Sequence, residues 1–179
     1  TTNFPTFNDN FENEKIEIDK TKFLSLLNKT KISISNDDTR HYLNGIYLHA
    51  TESNKNTFLT GVATDSHRLS SSSILVNDIK NFTSIILPRK TVFQLCSLLD
   101  NIDEKLIIEA NANKIKFSLG KINLISKVID GKFPDYQKVV PKENSKTLTV
   151  SSSDFINSVE RVASVSIDRK EGVKLELSR

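Results

Sequence analysis

Alternating and helix-periodic apolar residues divide the first part of the chain into a strand, a helix and three more strands. Residues 15–19 alternate apolar with charged side chains, which predicts a strand. Asp19 can cap the helix that follows, whose apolar positions fall on one face. Those positions are Phe23, Leu24, Leu26 and Leu27. Three strands are predicted next, at 42–50, 57–64 and 68–76, with a hairpin turn at 53–56.

The same order of elements then begins again. Residues 84–87 predict a strand, and Pro88 stands at the start of a helix, where its missing N–H is tolerated. The predicted apolar stripe of this helix consists of Val92, Phe93, Leu95, Leu98 and Leu99. Strands are predicted after it at 105–109, 114–119 and 122–129.

A third unit starts and stays partial. Residues 147–150 predict a strand, Ser151 or Ser152 can cap a helix, and a further strand is predicted from 172 to 177. The predicted apolar face of this helix carries Phe155, Ile156, Val159, Val162 and Ala163. Phe23, Val92 and Phe155 therefore occupy equivalent places in three helices, and such internal repetition is a strong architectural signal.

Two complete strand–helix–three-strand units predict an α+β domain with helices packed on one face of antiparallel sheet. About forty residues rarely form a stable core alone, so the third unit is expected to leave its apolar face uncovered. Residues 1–13 are polar, rich in Asn and interrupted by Pro5, which is typical of a linker. The predicted organisation is a linker at 1–15, a domain at 16–135 and an incomplete domain at 136–179.

Composition narrows the class of protein. The chain has 179 residues, of which 37% are hydrophobic, and its apolar runs are too short to cross a bilayer. The N-terminus lacks the apolar segment of a signal peptide. Cys96 is the single cysteine and is expected to be a small core residue, which fits a reducing cytoplasm. A net charge of +3 is too small to establish nucleic-acid binding, so the positions of the charges matter more than their sum.

A polar corner at 65–68 (DSHR) lies between two apolar runs and invites two interpretations. Asp and Ser favour turns through local backbone hydrogen bonds. Asp65 and His67 could instead form an acid–base pair or two metal ligands, as in a metal-dependent hydrolase. That alternative lacks a third ligand nearby, a phosphate-binding Gly-rich loop, a nucleophile elbow and paired cysteines. The sequence thus predicts no catalytic residue, no metal and no cofactor.

Four segments carry a family resemblance. Residues 64–69 (TDSHRL) resemble the TDGHRL segment of the bacterial β sliding clamp, the processivity factor of the replicative DNA polymerase. Residues 40–46 (RHYLNGI), 87–90 (LPRK) and 130–136 (DGKFPDY) agree with that family in content and order. Together they span most of the chain, which makes the resemblance specific.

The resemblance implies a DNA-clamp fold and a non-enzymatic function. In the family, each domain contains two strand–helix–three-strand units, three domains form a subunit, and two subunits close a ring around duplex DNA. This chain would cover the linker after the first domain, the second domain and the start of the third. It would be bacterial, cytoplasmic and nucleoid-associated. It would be monomeric as a fragment, because the ring interface joins first and third domains.

Two candidate surfaces follow. Charge and helix placement predict sequence-independent DNA contacts at Lys20, Lys22, Arg89 and Lys90, and the resemblance adds Arg40, His41 and Tyr42 from the loop before the YLNG segment. The resemblance also implies an apolar pocket for short linear peptides of the replicative polymerase, the clamp loader and repair proteins. Its predicted residues are Leu43, Thr64, His67, Arg68, Leu69, Pro134, Lys138 and Val139.

Two departures and one alternative remain. Ser66 stands where the family usually has Gly, although Ser does not reach positive φ freely. Gln137 and Lys138 stand where well-known clamps carry a more basic pair, and Lys lacks the planar fork of Arg, so peptide preference is expected to shift. An interaction scaffold without a DNA role is the remaining alternative.

Overall fold

The chain divides into two compact units. A computed structural model describes residues 11, 15–76, 79, 82–102, 104–165 and 172–176. The first unit comprises residues 1–134 and the second comprises residues 135–179. The first unit contains eight strands and two α-helices among its described residues.

The first unit follows the predicted order of elements. Its first half contains β1 (Ile16–Ile18), α1 (Lys20–Thr30), β2 (Gly45–Ser53), β3 (Asn56–Thr64) and β4 (Leu69–Leu75). Its second half contains β5 (Ile85–Pro88), α2 (Arg89–Asn101), β6 (Leu106–Ala110), β7 (Lys114–Leu119) and β8 (Ile122–Lys127). Between α1 and β2 lie two 3₁₀ segments, Lys31–Ser33 and Asp38–Leu43.

The two halves exchange their first strands. One sheet has the order β4-β3-β2-β5 and the other has the order β1-β6-β7-β8. Strand β1 pairs antiparallel with β6, where Ile16 faces Ile108, and β5 pairs antiparallel with β2, where Leu87 faces Ile46. Each half therefore supplies the edge strand of the other half's sheet, and neither sheet is complete without both halves.

Both helices bury one apolar stripe in a core shared by the two sheets. On α1 the buried side chains include Phe23 and Leu26, and Asp19 caps the helix by accepting from the backbone N–H of Lys22 at 2.9 Å. The ring of Phe23 lies 6.1 Å from that of Phe117 on β7. Gly61 on β3 lets Leu26 approach, since a Cβ there would lie 2.6 Å from a Leu26 methyl group. These contacts confirm the α+β class with helices packed against antiparallel sheets.

A second, smaller group of buried residues lies on the other face of the β2-containing sheet. It is defined by Leu43, Val62, Ile86 and Phe133, which are buried but stand outside the main core. Tyr47 of β2 faces Val62 and Ile86 in the sheet register and stacks on Phe133, with ring centroids 5.0 Å apart. We call these four residues the outer cluster. Phe133 therefore holds the last residues of the first unit against the sheet.

Local signals in the first unit are largely confirmed. Asn54 and Lys55 both adopt positive φ in the hairpin between β2 and β3, at the predicted turn. Pro88 is the N-cap of α2, and β7 has the predicted bounds. The other strands differ from their predicted bounds by a few residues at their ends.

One assignment on α2 is wrong. The sequence pattern places Phe93 on the apolar stripe, but its side chain is 44% exposed. The buried stripe runs through Val92, Leu95, Cys96 and Leu99, at the three- and four-residue spacing of one helix face. Phe93 lies one position off that stripe. Cys96 is buried, as predicted for a core residue.

Two predicted strands of the second unit are also wrong. Residues 147–150 and 172–176 form no strand, and residue 177 lies outside the described part of the chain. A strand needs a hydrogen-bonding partner, and the described residues of this unit supply none. The unit does contain a 3₁₀ turn, Tyr136–Lys138, and the predicted helix, α3 (Ser152–Ala163), which Ser151 caps. The apolar side chains Phe155, Ile156 and Val162 of α3 are exposed.

The strand exchange predicts a severe effect of a single methyl group at Gly45. A Cβ there would lie 2.3 Å from the carbonyl oxygen of Leu87, where β2 meets β5. Because that obstacle is backbone, Gly45→Ala should lower the free energy of unfolding by roughly 2 kcal/mol or more. Urea unfolding measures the change. Gly172→Ala is the control, since no atom of the described residues lies within 4 Å of where its methyl group would stand; equal losses in both variants would contradict the steric argument.

Candidate functional site

The predicted polar corner is a turn organised by one carboxylate. Asp65 Oδ1 accepts hydrogen bonds from the backbone N–H groups of His67 and Arg68, both at 3.0 Å. Its Oδ2 accepts from Arg68 Nε, also at 3.0 Å. A short acidic side chain that closes on the following backbone is a common way to fix a turn. Asp65 therefore sets the path of the chain from β3 to β4.

Thr64 holds both ends of the same turn. Its hydroxyl donates to the carbonyl of Arg68 at 2.7 Å and accepts from the backbone N–H of Ser66 at 3.1 Å. Thr64 also faces Leu69 as the last pair of the β3–β4 ladder. The structure thus brings four predicted peptide-contact residues into one short segment, residues 64–69, which we call the 64–69 turn.

The pKa of Asp65 supports a structural function for its carboxylate. Partial burial acts to raise this pKa, but hydrogen bonds from the backbone of Arg68 and His67, together with the Arg68 guanidinium, outweigh it, so the pKa lies below its ordinary value. A carboxylate that stays ionised and has both oxygens engaged is a poor general base. Within the described residues, no group of three His, Cys, Asp or Glu side chains could hold a metal ion. The hydrolase interpretation gains no support here.

Ser66 adopts the backbone conformation that the resemblance assigns to glycine. Its φ is +78°, a region that costs an L-residue about 1–2 kcal/mol. The Ser66 hydroxyl accepts a hydrogen bond from Arg40 Nη1 at 2.5 Å, and Arg40 Nε donates to Asp37 Oδ2 at 3.1 Å. The loop before β2 and the 64–69 turn are therefore joined by one guanidinium group.

The remaining peptide-contact candidates of the first unit differ in exposure. Arg68 keeps 62% of its side chain exposed, His67 is exposed and Leu69 is partly buried. Pro134 is exposed at the end of the unit. Leu43 is only 2% exposed and belongs to the outer cluster. Leu43 thus offers almost no surface of its own in this conformation.

The two candidates of the second unit lie on its first turn. Lys138 Nζ forms an ion pair with Asp135 Oδ2 at 3.1 Å, one helical turn earlier in the chain. Val139 follows this 3₁₀ turn with 69% of its surface exposed, and Val140 is 41% exposed. The segment therefore offers apolar area beside a cation whose charge stays in solvent.

The predicted DNA-contact residues of the helices fall at two separate places. The helices run antiparallel. Lys20 Nζ at the start of α1 donates to the carbonyl of Ile102 just beyond α2 at 2.8 Å, while Lys31 Nζ at the end of α1 lies 5.5 Å from the ring of Phe93 in the first part of α2. Arg89 and Lys90 open α2 at the opposite end, about 20 Å away for a helix of thirteen residues. Lys20 and exposed Lys22 are thus separated from the α2 pair.

The end of the helix pair that carries Arg89 contains two residues that the sequence analysis did not select. The ring of Phe93 lies 5.2 Å from Arg89 Cζ and 5.5 Å from Lys31 Nζ at the end of α1. Arg89 also donates to Asn36 Oδ1. Phe93 and Lys31 join Arg89 and Lys90 in one cationic cluster. A signal was present in the sequence: Phe93 lies four residues after Arg89 and so on the same helix face.

The loop residues His41 and Tyr42 pack on the segment that follows β8. His41 Nε2 lies 3.1 Å from the carbonyl oxygen of Asp130. Gly131 has a φ of +143°, and a Cβ there would approach Tyr42 Cβ to 3.1 Å. His41 remains exposed and Tyr42 is partly buried. The loop is thus held in place by segments distant from it in sequence.

No helix in the part of the chain that the structure describes combines the length and the apolar character that a membrane span requires.

Comparisons with known proteins agree with this architecture. Residues 17–135 match the family described as DNA polymerase III beta subunit, central domain. A beta sliding clamp of Caulobacter vibrioides is 36% identical over 173 residues, which cover 96% of this chain and 46% of that relative. A beta sliding clamp of Rickettsia felis is 37% identical over 183 residues, which cover 99% of this chain and 47% of that relative. The chain spans about half the length of the curated relatives it matches.

Solved structures show the same likeness. The Caulobacter crescentus clamp, crystallised with bound polyethylene glycol, matches with a TM-score of 0.90 and 35% identity over 94% of this chain and 45% of that one. A Bartonella birtlesii clamp bound to griselimycin matches with a TM-score of 0.87 and 38% identity, again over 94% of this chain and 45% of that one. The chain therefore belongs to the β sliding clamp family of DNA polymerase III β subunits.

Proposed function

We propose that this chain is the central part of a sliding clamp that encircles duplex DNA without sequence specificity and tethers the replicative polymerase. Its domain would span 16–135, preceded by a linker and followed by the start of a third domain. Two full-length subunits would close the ring, in the bacterial cytoplasm at the nucleoid. The observation that supports this best is the likeness to β sliding clamps, which covers residues 17–135 in the family model and 94% of this chain in the Caulobacter crescentus structure. Clamps are accessory subunits and not enzymes, and Asp65 performs a structural task that fits this class.

The 64–69 turn is suited to dock short peptides of the polymerase, the clamp loader and repair proteins. A docking surface for an extended peptide needs apolar area and polar groups held in fixed positions. Leu69 provides partly exposed apolar area at the start of β4, and Arg68 is oriented by Asp65. Pro134, Lys138 and Val139 would add contacts of their own. The griselimycin complex of the Bartonella clamp shows that a relative binds a small ligand.

The cationic cluster on the helices is suited to phosphate contacts. Neither helix has an acidic residue in its first turn, and α2 instead opens with Arg89 and Lys90. Positive charge at a helix N-terminus opposes the helix dipole, so the charges of Arg89 and Lys90 gain no stabilisation from it. Lysine and arginine on a rigid element can contact phosphates without reading bases. Lys20, Lys22, Arg40, His41 and Tyr42 would contribute further contacts.

The contribution of Leu69 to ligand docking can be measured with griselimycin as the probe. In an NMR titration of the ¹⁵N-labelled chain, griselimycin should shift the backbone amide signals of residues 66–69. Leu69→Glu should abolish these shifts, because a carboxylate would replace the apolar contact. Arg68→Ala should weaken binding roughly threefold or more, through loss of its packed stem and charge. NMR detects weak complexes, so low affinity does not hide the result.

The matched control for this prediction is Leu75→Glu. Leu75 lies at the far end of the same strand, β4, and is 51% exposed. It introduces the same charge without touching the turn, so the griselimycin shifts should persist. Equal loss in both variants, or no shift at 66–69 in the unsubstituted chain, would contradict the docking assignment.

The contribution of the cationic cluster to DNA binding can be measured through its salt dependence. Anisotropy of a labelled 30-base-pair duplex, measured at several salt concentrations, gives the slope of log affinity against log salt. The double variant Arg89→Ala/Lys90→Ala should reduce that slope by roughly 2, since each lost phosphate contact releases about one counterion fewer. A mixed-sequence duplex and a homopolymeric duplex of the same length should give the same affinity and the same slope.

The charge-matched control is Lys121→Ala/Lys127→Ala. Both lysines are exposed, at the start and the end of the β8 hairpin arm. This variant loses the same two charges and should keep the slope of the unsubstituted chain. An equal reduction in both double variants would mean that net charge alone attracts DNA. No measurable binding in any form, including a full-length ring, would favour the scaffold alternative.

A further inference from the structure

Arg40 connects two segments that are far apart in sequence. Its guanidinium donates through Nε to Asp37 on its own loop and through Nη1 to Ser66 in the 64–69 turn. The Arg40 side chain is 37% exposed, so these two hydrogen bonds, and not burial, fix its position. The planar guanidinium presents its donors in a fixed fork, so two acceptors fix its orientation more firmly than one.

The anchor on the loop side is itself well held. Asp37 Oδ1 accepts from Thr39 Oγ1 at 2.6 Å and from the Thr39 backbone N–H at 2.9 Å, while its own N–H donates to Ser35 Oγ at 3.0 Å. The hydrogen bond from the Thr39 hydroxyl, together with that from its backbone and the contact with Arg40, lowers the pKa of Asp37. Asp37 therefore stays ionised at neutral pH and holds Arg40 from behind.

The acceptor on the turn side, Ser66, is the residue of the turn that needs an uncommon backbone conformation. Ser66 is the turn residue with positive φ, and its neighbours 65, 67 and 68 depend on that conformation for the Asp65 hydrogen bonds. The Ser66 side chain offers a single hydrogen-bonding group, its hydroxyl. Arg40 holds it at 2.5 Å.

We propose that Arg40 is a positioning residue of the 64–69 turn, and that through Ser66 it sets the ligand affinity of this surface. This inference rests on the proposed peptide-docking function. It assigns to Arg40 a task in addition to the DNA contact that the family resemblance implies. The guanidinium is engaged by two protein acceptors and holds the conformation in which Arg68 and Leu69 are presented.

The test uses four variants of the full chain and two readouts. Ser66→Ala keeps the Cβ and removes the acceptor, and Arg40→Lys keeps the charge and loses the fork. Both should speed amide hydrogen exchange at residues 66–68 and weaken griselimycin binding, each by roughly threefold to tenfold. The double variant Arg40→Lys/Ser66→Ala should be no worse than the worse single variant, because both single variants remove the same hydrogen bond between residues 40 and 66. Ser66→Asn should keep both readouts at the values of the unsubstituted chain, since Asn tolerates positive φ and offers an acceptor to Arg40.

The controls separate positioning from stability and from charge. Ser84→Ala removes an exposed serine, and Arg161→Lys makes the same exchange on α3; both should leave the two readouts unchanged. The midpoint of urea unfolding should remain that of the unsubstituted chain, since a purely stabilising residue would move it. Additive effects of the two substitutions on exchange and affinity, or faster exchange at residues 66–68 in Ser66→Asn, would overturn the proposal.

The two readouts also distinguish this inference from the proposed function. If griselimycin does not bind the unsubstituted chain, the docking assignment fails, while hydrogen exchange still decides whether Arg40 positions the turn. If griselimycin binds and exchange at 66–68 rises without any change in affinity, the docking assignment stands and the link from Arg40 to affinity is overturned.

Discussion

The exchange of first strands between the two halves is the constraint on which the rest of the first unit depends. Strand β1 completes the sheet of the second half and β5 completes that of the first. Each helix can bury its apolar stripe only when both sheets exist, because the core is common to them. In the sheet that β5 completes, the β3–β4 ladder ends at the pair Thr64 and Leu69, and this junction carries the 64–69 turn. The sheet that carries the 64–69 turn therefore depends on the pairing of strands far apart in sequence.

The two candidate surfaces use charge in opposite ways. In the 64–69 turn, Asp65 holds Arg68, and beside it Asp37 holds Arg40. Such pairs contribute little to stability when exposed, so their main effect is on geometry. At the start of α2, by contrast, Arg89 and Lys90 stand without an acidic residue in the first turn. Paired charges give a surface a defined shape, and excess positive charge gives it affinity for a polyanion.

Local features of the fold could be predicted from sequence, and contacts between distant segments could not. The cap at Asp19 and the hairpin at Asn54 depend on neighbouring residues, and both are confirmed. Hydrophobic periodicity carries no information on which strands pair, so it could not reveal the exchange between halves. Phe93 is misplaced by the pattern because an apolar residue beside the stripe resembles one within it. Resemblance supplied the site residues, but the hydrogen bond from Arg40 to Ser66 required coordinates, since it joins segments 26 residues apart.

Residues 129–134, which include Phe133 of the outer cluster, form a folded segment that could be extended without unfolding a strand. Phe133 stacks on Tyr47, and Ile129 pairs with Ile86, so residues 129–134 lie along the sheet and do not extend away from it. A pulling force applied to the chain after residue 134 would break these contacts first, before it separated any strand from its sheet. Their rupture would free about six residues, or roughly 20 Å of extended chain, while both sheets remain intact. Residues 129–134 would then act as an extensible segment at the end of the first unit.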